Sequence, residues 1–471
     1  MQENTIDLEG VTPVKKLFMI LLCVAMVLSM MVSFVGCGQE KEEKMVVTTK
    51  ELRIGILSDI HTNTPPVYNP LERFEKALRF FQKKGVDGVM ITGDLLDTYS
   101  LVGIDDIQTV WLDVFPNNKN PLTGESVEPL FVYGNHDEGM VSEEVWFDEL
   151  GEFEEAWIKE IKGYQFVGVH FTKEAGAEVQ KLLEKAQEAS TDKPFFFAQH
   201  VPTEGTVIGG YASYGGYEIP LQDALKRAYN CVVFTGHTHV PITDERAIWQ
   251  STSKKAAQCT VVTCGTLHYA HLQDFCQLEI NGDRHQTQQG IYMVVDGSHV
   301  TLERYSFTDM ELEYVDGVGT INMDDAKMIG VPWTFDAMDK KDRPYDYSKR
   351  EQNAFAPVFP EGATPEVSEL TATSAAITVP AASVEAPEGF SDLVQSYYAE
   401  VTDTATGNLV ATVEVAASYH IDTELEHLNQ PVTLRLTELT PNTEYSILIY
   451  ARECYQKASE PISISITTIA E

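Results

Sequence analysis

The chain carries an ordered series of aspartate, asparagine and histidine residues whose types suit divalent metals. The five motifs are Asp59-Ile60-His61, Gly93-Asp94, Gly134-Asn135-His136-Asp137, His200 and Gly236-His237-Thr238-His239. Imidazole, carboxylate and amide oxygens favour manganese, iron or zinc, and the absence of cysteine argues against a structural thiolate zinc site. The series holds more ligands than one ion can use, which predicts two metals. Two-metal sites clamp phosphoryl groups that undergo in-line displacement.

Each motif comes within a few residues after a short apolar run that is typical of a buried β-strand. These runs are 52–57, 89–92, 130–133, 195–197 and 231–234. Ligands in α/β sheets bind beyond the carboxyl ends of the strands, so the five strand ends are expected at one edge of one sheet. Helical spacing of apolar residues precedes three of the strands, at 71–84, 177–189 and 221–229. This alternation predicts an α/β domain. A single motif has an ordinary structural explanation, whereas the complete ordered series does not.

The ordered series resembles the D-x-H, G-D-x-x-D, G-N-H-[DE], H and G-H-x-H pattern of calcineurin-like metallophosphoesterases. The resemblance covers about residues 50–310 and implies a sandwich of two mixed β-sheets flanked by helices. It also implies that Asp94 bridges two metals. The remaining ligands would be Asp59, His61 and His239 for the first metal, and Asn135, His200 and His237 for the second. A hydroxide between the metals, with its pKa lowered by them, would be the nucleophile.

The resemblance gives two further residues a part in proton transfer. His136 would protonate the leaving oxygen as general acid, and Asp97 would orient His136 and stabilise its charged form. Asp137 is as well explained by capping the turn after its motif. In Ser/Thr protein phosphatases an arginine follows the second aspartate of the G-D motif, but Thr98 follows Asp97 here. Purple acid phosphatases have tyrosine in place of Asp97 and lack the histidine of the first motif, so the broad bacterial phosphodiesterase-like group remains.

The amino-terminal segment has the pattern of an export signal. Lys15-Lys16 precede an apolar stretch over 17–35, which ends at Gly36-Cys37 before a charged segment. This arrangement is typical of a secretory signal, and a cysteine directly after glycine resembles a bacterial lipobox. We therefore expect a signal over residues 1–37 with lipidation of Cys37, followed by a tether over 38–49. An uncleaved membrane anchor and ordinary signal cleavage are the alternatives.

The net charge limits which partners the chain can bind, and the cysteine content bears on its disulfide bonds. The net charge of −37 over 471 residues argues against nucleic-acid binding, and solubility at an exposed cell surface explains it well. Seven cysteines do not form a disulfide framework in a chain this long. A bridge within the group Cys259, Cys264 and Cys276 is left open, and Cys231 and Cys454 are expected to be buried and free.

The carboxyl-terminal part of the chain differs from the preceding part in composition and in residue pattern. Residues 311–362 are rich in aspartate, proline and aromatics, which we interpret as an extension and linker lying over the surface. Residues 363–471 contain short alternating strands separated by turns. Tyr445, before an alternating run over 446–451, resembles the tyrosine corner of a fibronectin type III domain. An immunoglobulin-like β-sandwich with a spacer or adhesion role, and with an unidentified cell-surface partner, is therefore expected.

Loops near the motifs are candidates for substrate contact. The segments 62–70 and 203–217 follow the first motif and His200, and tyrosines on the second could stack on a base or sugar. We interpret His170 as structural. Whether His268 and His271 face the site is left open. A hairpin over 290–305 that turns at Asp296-Gly297 is expected to close the second sheet.

The sequence thus predicts a surface-anchored phosphoesterase with two metals that hydrolyses a small phosphodiester or nucleotide-type substrate. The alternatives are a phosphomonoesterase that scavenges phosphate and a surface binding protein without catalysis. Metal identity, oligomeric state and the physiological substrate are left open.

Overall fold

The computed structural model describes most of residues 51–470. Outside the described part lie 1–50, 63–68, 98–102, 139, 142–144, 147–149, 151–155, 172–175, 209–224, 226, 254, 271–286, 418–429 and 471. The predicted signal, Cys37, the tether, His271, Cys276 and much of both candidate substrate loops fall among these residues. Within the part of the chain that is described, no helix is both long and apolar enough to cross a membrane.

Twenty-two strands and four α-helices organise the described residues. The strands up to residue 306 are β1 (Leu52–Leu57), β2 (Gly88–Ile91), β3 (Glu128–Phe131), β4 (Ala156–Ile161), β5 (Tyr164–Val169), β6 (Phe195–Ala198), β7 (Cys231–Thr235), β8 (Ile248–Trp249), β9 (Thr260–Thr263), β10 (Gln289–Asp296) and β11 (His299–Ser306). The later strands are β12 (Glu313–Val315), β13 (Val318–Thr320), β14 (Lys327–Met328), β15 (Trp333–Asp336), β16 (Glu366–Leu370), β17 (Ala375–Val379), β18 (Val394–Asp403), β19 (Leu409–Ala416), β20 (Val432–Leu436), β21 (Glu444–Glu453) and β22 (Ile462–Thr467). The helices are α1 (Pro70–Lys84), α2 (Ile104–Val114), α3 (Gly176–Ala189) and α4 (Tyr347–Asn353).

Two mixed sheets face each other in the first domain, as the metallophosphoesterase resemblance implies. The first sheet has the order β14-β11-β10-β1-β2-β3, with β15 also paired to β11, and the second has the order β4-β5-β6-β7-β9-β8. A buried apolar cluster fills the space between them, with Ile54 and Ile56 of β1 meeting Phe196 of β6 and Phe234 of β7. Because the five motif strands divide between the sheets, the ligands do not lie at the edge of one sheet. They lie where the ends of both sheets meet.

The helices cover the outer faces of these sheets. α1 packs Phe74, Leu78 and Phe81 into the cluster on the first sheet, and it ends at Gly85, whose φ of 69° permits the left-handed cap. The predicted helix over 71–84 is therefore confirmed. α3 packs on the second sheet through Val179 and Leu183.

The hairpin and the extension belong to the first sheet. β10 and β11 form the predicted hairpin, but β10 pairs with β1, so the hairpin does not close the second sheet. β14 then pairs with the carboxyl-terminal end of β11, and β15 pairs with its amino-terminal half. The sheet thus continues past the predicted domain boundary at residue 310, and part of the extension is paired strand rather than a surface strap.

Two antiparallel sheets form the carboxyl-terminal region. Their orders are β16-β17-β20 and β19-β18-β21-β22, and residues of both sheets share one apolar cluster that includes Ile377, Tyr397 and Ile447. Alternation along β21 buries every second side chain, as a sandwich requires. The backbone N–H of Thr440 donates to Tyr445 Oη at 2.8 Å. The β-rich sandwich is confirmed, and its assignment to fibronectin type III stays a prediction.

Candidate metal centre

Five of the predicted ligands have left-handed backbone conformations. The φ angles are 51° at Asp59, 49° at His61, 52° at Asp94, 68° at His237 and 51° at His239. Each such residue costs roughly 1–2 kcal/mol, and strain of this kind collects at functional sites. Backbone hydrogen bonds between loops hold these conformations. Asp59 N–H donates to Gly93 O at 3.1 Å, and His61 N–H donates to Asp94 O at 3.1 Å.

Motif glycines allow the loops to approach each other closely. A β-carbon on Gly134 would lie 2.1 Å from Asp94 Oδ1, and one on Gly236 would lie 1.9 Å from Ser58 Oγ and 2.5 Å from Asp59 Oδ2. Real β-carbons do not approach other atoms so closely. The two glycines are therefore required because side chains of the neighbouring motif loops, among them the predicted ligands Asp94 and Asp59, occupy the space where a side chain would begin.

One ligand group combines the first motif with the last. Asp59, His61 and His239 each place a ligand atom within 4.8 Å of the others. His61 Nε2 lies 2.9 Å from His239 Nε2, and His239 Nε2 lies 3.1 Å from Asp59 Oδ1. All three side chains are buried. The structure thus assembles the three residues predicted for the first metal.

A second ligand group surrounds Asp94. Asp94, His200 and His237 also lie within 4.8 Å of one another. His200 Nε2 is 3.0 Å from Asp94 Oδ2 and 3.0 Å from Asn135 Oδ1. Asp94 Oδ2 is in addition 3.6 Å from His61 Nε2 of the first group. Asp94 therefore lies between the two groups, where a bridging carboxylate would have to be.

Backbone carbonyls orient two of the histidine ligands. His200 Nδ1 lies 2.8 Å from Thr92 O, and His239 Nδ1 lies 2.8 Å from Tyr269 O. A carbonyl can only accept a hydrogen bond, so Nδ1 is the protonated nitrogen in both rings. In the neutral form of each ring, Nε2 then carries the lone pair and faces the centre, the usual arrangement for metal-binding histidines.

The electrostatic field of the centre favours positive charge. Burial alone would lower the pKa of His61, but Asp59, Asp97 and Asp94 together raise it to about 10. Burial likewise opposes ionisation of Asp59, but its histidine neighbours hold the pKa of this carboxyl well below its ordinary value. Buried carboxylates are normally paired or coordinate metals. The donor set therefore fits two divalent cations.

His136 and Asp97 form a pair beside the two ligand groups. His136 Nδ1 lies 2.9 Å from Asp97 Oδ1, and the backbone N–H of His136 donates to Asp94 Oδ1 at 2.8 Å. The His136 side chain is 33% exposed and that of Asp97 is 25% exposed, unlike the buried ligands. Asp97 also lies 3.8 Å from His61 Nδ1. The predicted proton donor and its orienting carboxylate are thus adjacent and open to solvent.

Asp137 holds two motif loops together. Its carboxylate accepts hydrogen bonds from the backbone N–H groups of Gly134 at 2.8 Å and Leu96 at 2.8 Å. The first bond caps the turn, as the structural interpretation of this residue predicts. The second bond reaches across to the G-D loop, so Asp137 also fixes the spacing between Asp94 and Asn135.

The sequence left open whether the loop after β9 faces the site, and it did not identify Thr266 or Tyr269 as part of it. Thr266 Oγ1 donates to Asp59 O at 3.0 Å, and the ring of Tyr269 lies against that of His239 with centroids 4.2 Å apart. His268, left open by the sequence, has its ring centroid 5.5 Å from that of His61. Gly265 follows an apolar strand, as the motif glycines do, and this position was the available signal.

His170 has the structural role that the sequence analysis favoured. Its ring is buried, and burial lowers its pKa to about 3. Nδ1 of this neutral ring accepts the backbone N–H of Tyr133 at 2.9 Å. Because Tyr133 directly precedes Gly134, His170 holds the end of β3 at the point where the third motif begins.

Comparisons with known proteins find one matching family model and several similar solved structures. Residues 52–241 match the family model of the calcineurin-like phosphoesterases. No curated protein matches the chain. A dimetal phosphatase from Danio rerio is 10% identical over 54% of this chain and 95% of that chain, with a TM-score of 0.38.

Two other solved structures are also similar to the chain. Vacuolar Protein Sorting 29 from Cryptosporidium parvum is 14% identical over 61% of this chain and 98% of that chain, with a TM-score of 0.30. The FN5 domain of Drosophila Lar is 17% identical over 25% of this chain and 99% of that chain, with a TM-score of 0.16. Residues 52–241 are thus similar to the calcineurin-like phosphoesterases, and the converging ligand groups within them fit a dinuclear metal site.

Proposed function

We propose that this protein is an extracytoplasmic phosphoesterase that uses two divalent metals to hydrolyse a phosphodiester or nucleotide-type substrate. The observation that carries the proposal is the His136–Asp97 pair, held 2.9 Å apart beside two ligand groups that share Asp94. A site that only binds metal has no need of a proton donor oriented in this way.

The ligand groups define what the site would hold. Asp59, His61 and His239 would bind one cation, Asn135, His200 and His237 would bind the other, and Asp94 would contact both. Manganese, iron and zinc all suit these oxygen and nitrogen donors. When bound, the cations supply Lewis-acid polarisation of the phosphoryl oxygens and lower the pKa of water.

The His136–Asp97 pair accounts for departure of the leaving group. Asp97 engages Nδ1 of the imidazole, so delivery of a proton to the leaving oxygen falls to Nε2. The backbone N–H of His136 donates to Asp94, which couples the position of the proton donor to the carboxylate between the metals. A leaving alkoxide or phenoxide that receives a proton in the transition state departs about 10²- to 10⁴-fold faster.

Charge and the amino-terminal pattern support the proposed location and substrate size. The export pattern before Cys37 would place the enzyme outside the cytoplasm, lipid-anchored at the membrane or cell surface. The net charge of −37 would repel long polyanions such as nucleic acids, which favours a small phosphoester.

Hydrolysis by the fragment that begins at Gly38, with added manganese, tests the proposal. Bis(p-nitrophenyl) phosphate and p-nitrophenyl phosphate would be compared for wild type, His136→Ala and a control, His299→Ala, which removes an exposed histidine of β11. We expect turnover of the diester well above the monoester, and a loss of about 10²- to 10⁴-fold in kcat only in His136→Ala. Elemental analysis should find two metals in all three proteins.

Two other outcomes would contradict the proposal in different ways. Preference for the monoester would indicate a phosphate-scavenging phosphomonoesterase. Two bound metals without turnover of either ester or of a panel of nucleotides and lipid phosphodiesters would indicate a surface binding protein.

A further inference from the structure

The loop that follows His239 is anchored by a buried ion pair. We call residues 240–247 the Glu245 loop. Arg304 of β11 donates to Glu245 Oε1 at 3.0 Å and to Ile242 O at 2.8 Å, and both charged side chains are fully buried. Arg304 belongs to the first sheet, whereas the loop continues from β7 of the second. The ion pair therefore ties the two sheets together directly behind the last metal-binding motif.

The extension supplies a second set of contacts to the same carboxylate. Trp333 Nε1 donates to Glu245 Oε2 at 3.2 Å, and the Arg304 guanidinium lies over the Trp333 ring at 4.1 Å. Arg304 also donates to Val331 O at 2.8 Å. β15 thus holds both members of the ion pair in place.

The carboxyl-terminal sandwich contacts the Glu245 loop through Tyr455. This tyrosine follows β21 and is buried, and its hydroxyl donates to Glu245 O at 3.4 Å. Its ring packs on Tyr347 with centroids 5.8 Å apart, and the hydroxyl of Tyr347 donates to Arg246 O. Two tyrosines, one of them from the sandwich, therefore hold successive carbonyls of the loop.

Further contacts fix the sandwich where Tyr455 can reach the loop. Arg350 of α4 forms a buried ion pair with Asp392, and its guanidinium lies between the rings of Phe390 and Tyr455, at 3.5 and 5.0 Å. Lys457 donates to Ala354 O at 2.6 Å. Such contacts indicate a docked module rather than one that swings on a linker.

Buried ion pairs are a poor source of net stability, because desolvation offsets much of the Coulomb attraction. Apolar residues of the same volume would fill the space around Arg304 and Glu245 at least as well. The directional hydrogen bonds of a charged pair instead fix the position of the backbone that carries them. That backbone begins directly after His239, whose Nε2 faces Asp59 and His61.

We propose that the carboxyl-terminal sandwich is a structural part of the metal centre, and that Tyr455 is a positioning residue for His239. Tyr455 acts through the Glu245 loop, so it sets the affinity of the first ligand group without touching metal or substrate. The inference rests on the proposed function only in requiring that the ligand groups bind metal. It replaces the spacer role expected from the sequence with an energetic coupling between the two domains.

Cobalt titration of the metal-free full-length chain tests this coupling without any substrate. Wild type, Tyr455→Ala and Tyr455→Phe would be compared by the visible absorption of bound Co²⁺, with thermal unfolding recorded for each protein. Tyr450→Ala is the matched control. Tyr450 lies on β21, the strand that Tyr455 follows, but it is partly exposed and packs beside Tyr398, with ring centroids 6.3 Å apart.

We expect Tyr455→Ala to weaken one of the two Co²⁺ affinities by about tenfold, the lower end of the effect of outer partners of metal ligands. Tyr455→Phe keeps the ring packing but lacks the hydroxyl that donates to Glu245 O, so it should show a smaller, few-fold loss, whereas Tyr450→Ala should bind as wild type. Co²⁺ affinities within threefold of wild type in Tyr455→Ala would overturn the proposal.

A second variant covers the case in which Tyr455→Ala does not fold. Tyr347→Phe removes only the hydroxyl that donates to Arg246 O, and it should weaken the same Co²⁺ site by a few-fold without loss of folding. An unchanged Co²⁺ affinity in this variant would then count against the proposal. Wild type that binds no Co²⁺ would instead contradict the proposed dinuclear function.

Discussion

The metal centre and the carboxyl-terminal sandwich are both built from short strands, yet they treat polar and strained residues in opposite ways. At the centre, Asp59, His61 and Asp94 are buried and have φ near 50°. Along β21 of the sandwich, Ile447 and Ile449 are buried while the intervening Leu448 is exposed. The sandwich thus follows the period-two pattern of a strand, and the centre departs from it directly after each strand ends.

The difference shows which interactions determine the backbone conformation in each region. Along the strands of the sandwich, neighbouring residues and cross-strand pairs are sufficient, and left-handed φ values of non-glycine residues occur only outside the strands, at Glu438, Asn442 and Gln456 of the described residues. At the centre, unfavourable conformations persist because residues distant in the chain hold them, such as Gly93 for Asp59 and Asp94 for His61. The same kind of substitution should therefore have different consequences in the two regions.

The largest difference is expected for glycine substitutions. In Gly134→Ala the new β-carbon would lie 2.1 Å from Asp94 Oδ1 and 2.3 Å from the Asp94 backbone nitrogen, so Asp94 must move by about 1 Å. A displacement of that size can reduce turnover about 100-fold, and we expect at least this loss in kcat. Gly407→Ala in the sandwich has open space around it but a φ of 72°. It should cost roughly 1–2 kcal/mol of stability and leave kcat unchanged, and equal kcat losses in the two variants would remove the distinction.

A smaller loss is expected when the orienting carboxylate at the centre is made neutral. Asp97→Asn keeps the shape of the side chain but removes the charge that faces His136 Nδ1 at 2.9 Å. We expect kcat to fall by about 10- to 100-fold, part of the effect of a general acid, while two metals remain bound. The matched change Asp403→Asn in a sandwich turn should leave kcat alone. An undiminished kcat in Asp97→Asn would remove Asp97 from proton transfer.

The stability of the first domain should depend on pH through His170. Burial lowers the folded-state pKa of His170 to about 3, whereas the unfolded value is about 6.5. The neutral ring therefore contributes stability that is complete above about pH 6.5 and is lost as the pH falls. Between pH 6.5 and 5 the free energy of unfolding should decrease by about 2 kcal/mol.

Urea unfolding at pH 7.5 and 5 measures this loss. His170→Gln can still accept the N–H of Tyr133 but cannot ionise, so its unfolding free energy should change less with pH than that of wild type. His299→Gln, which alters an exposed histidine, serves as the control and should retain the wild-type slope. Identical slopes in all three proteins would show that His170 is not the titrating group.

The sequence predicts features that depend on neighbouring residues better than features that depend on residues distant in the chain. The candidate ligands Asp59, His61, Asp94, His200 and His239, which the structure brings together, could be selected because residue type and order along the chain are visible without a structure. The helix ending before Gly85 and the hairpin turning at Asp296-Gly297 were likewise predicted, since each depends on a local signal. The seven antiparallel strands of the sandwich region follow from local alternation in the same way.

Features that depend on distant residues were missed or misplaced. The sequence assigned the five motif strands to one sheet, because nothing local says that β6 and β7 pair with β5 and β9 rather than with β1. Tyr269 was overlooked because its contact with His239 crosses 30 residues. The boundary at residue 310 was drawn from composition, whereas β15 pairs with β11 through backbone hydrogen bonds that composition does not reveal.

The smallest effect is expected at the tyrosine corner, and it separates the two roles of tyrosine in the sandwich. Tyr445→Phe removes the oxygen that accepts the backbone N–H of Thr440, which should cost about 1 kcal/mol of stability. Both partners of this hydrogen bond belong to the sandwich, so Co²⁺ affinity and kcat should stay at wild-type values. Tyr455 lies in the same module but reaches Glu245, and its truncation should change Co²⁺ affinity. If Tyr445→Phe weakened Co²⁺ binding as much as Tyr455→Ala, the coupling would reflect general loosening of the sandwich. If it did not, the path from Tyr455 through the Glu245 loop to His239 would be specific.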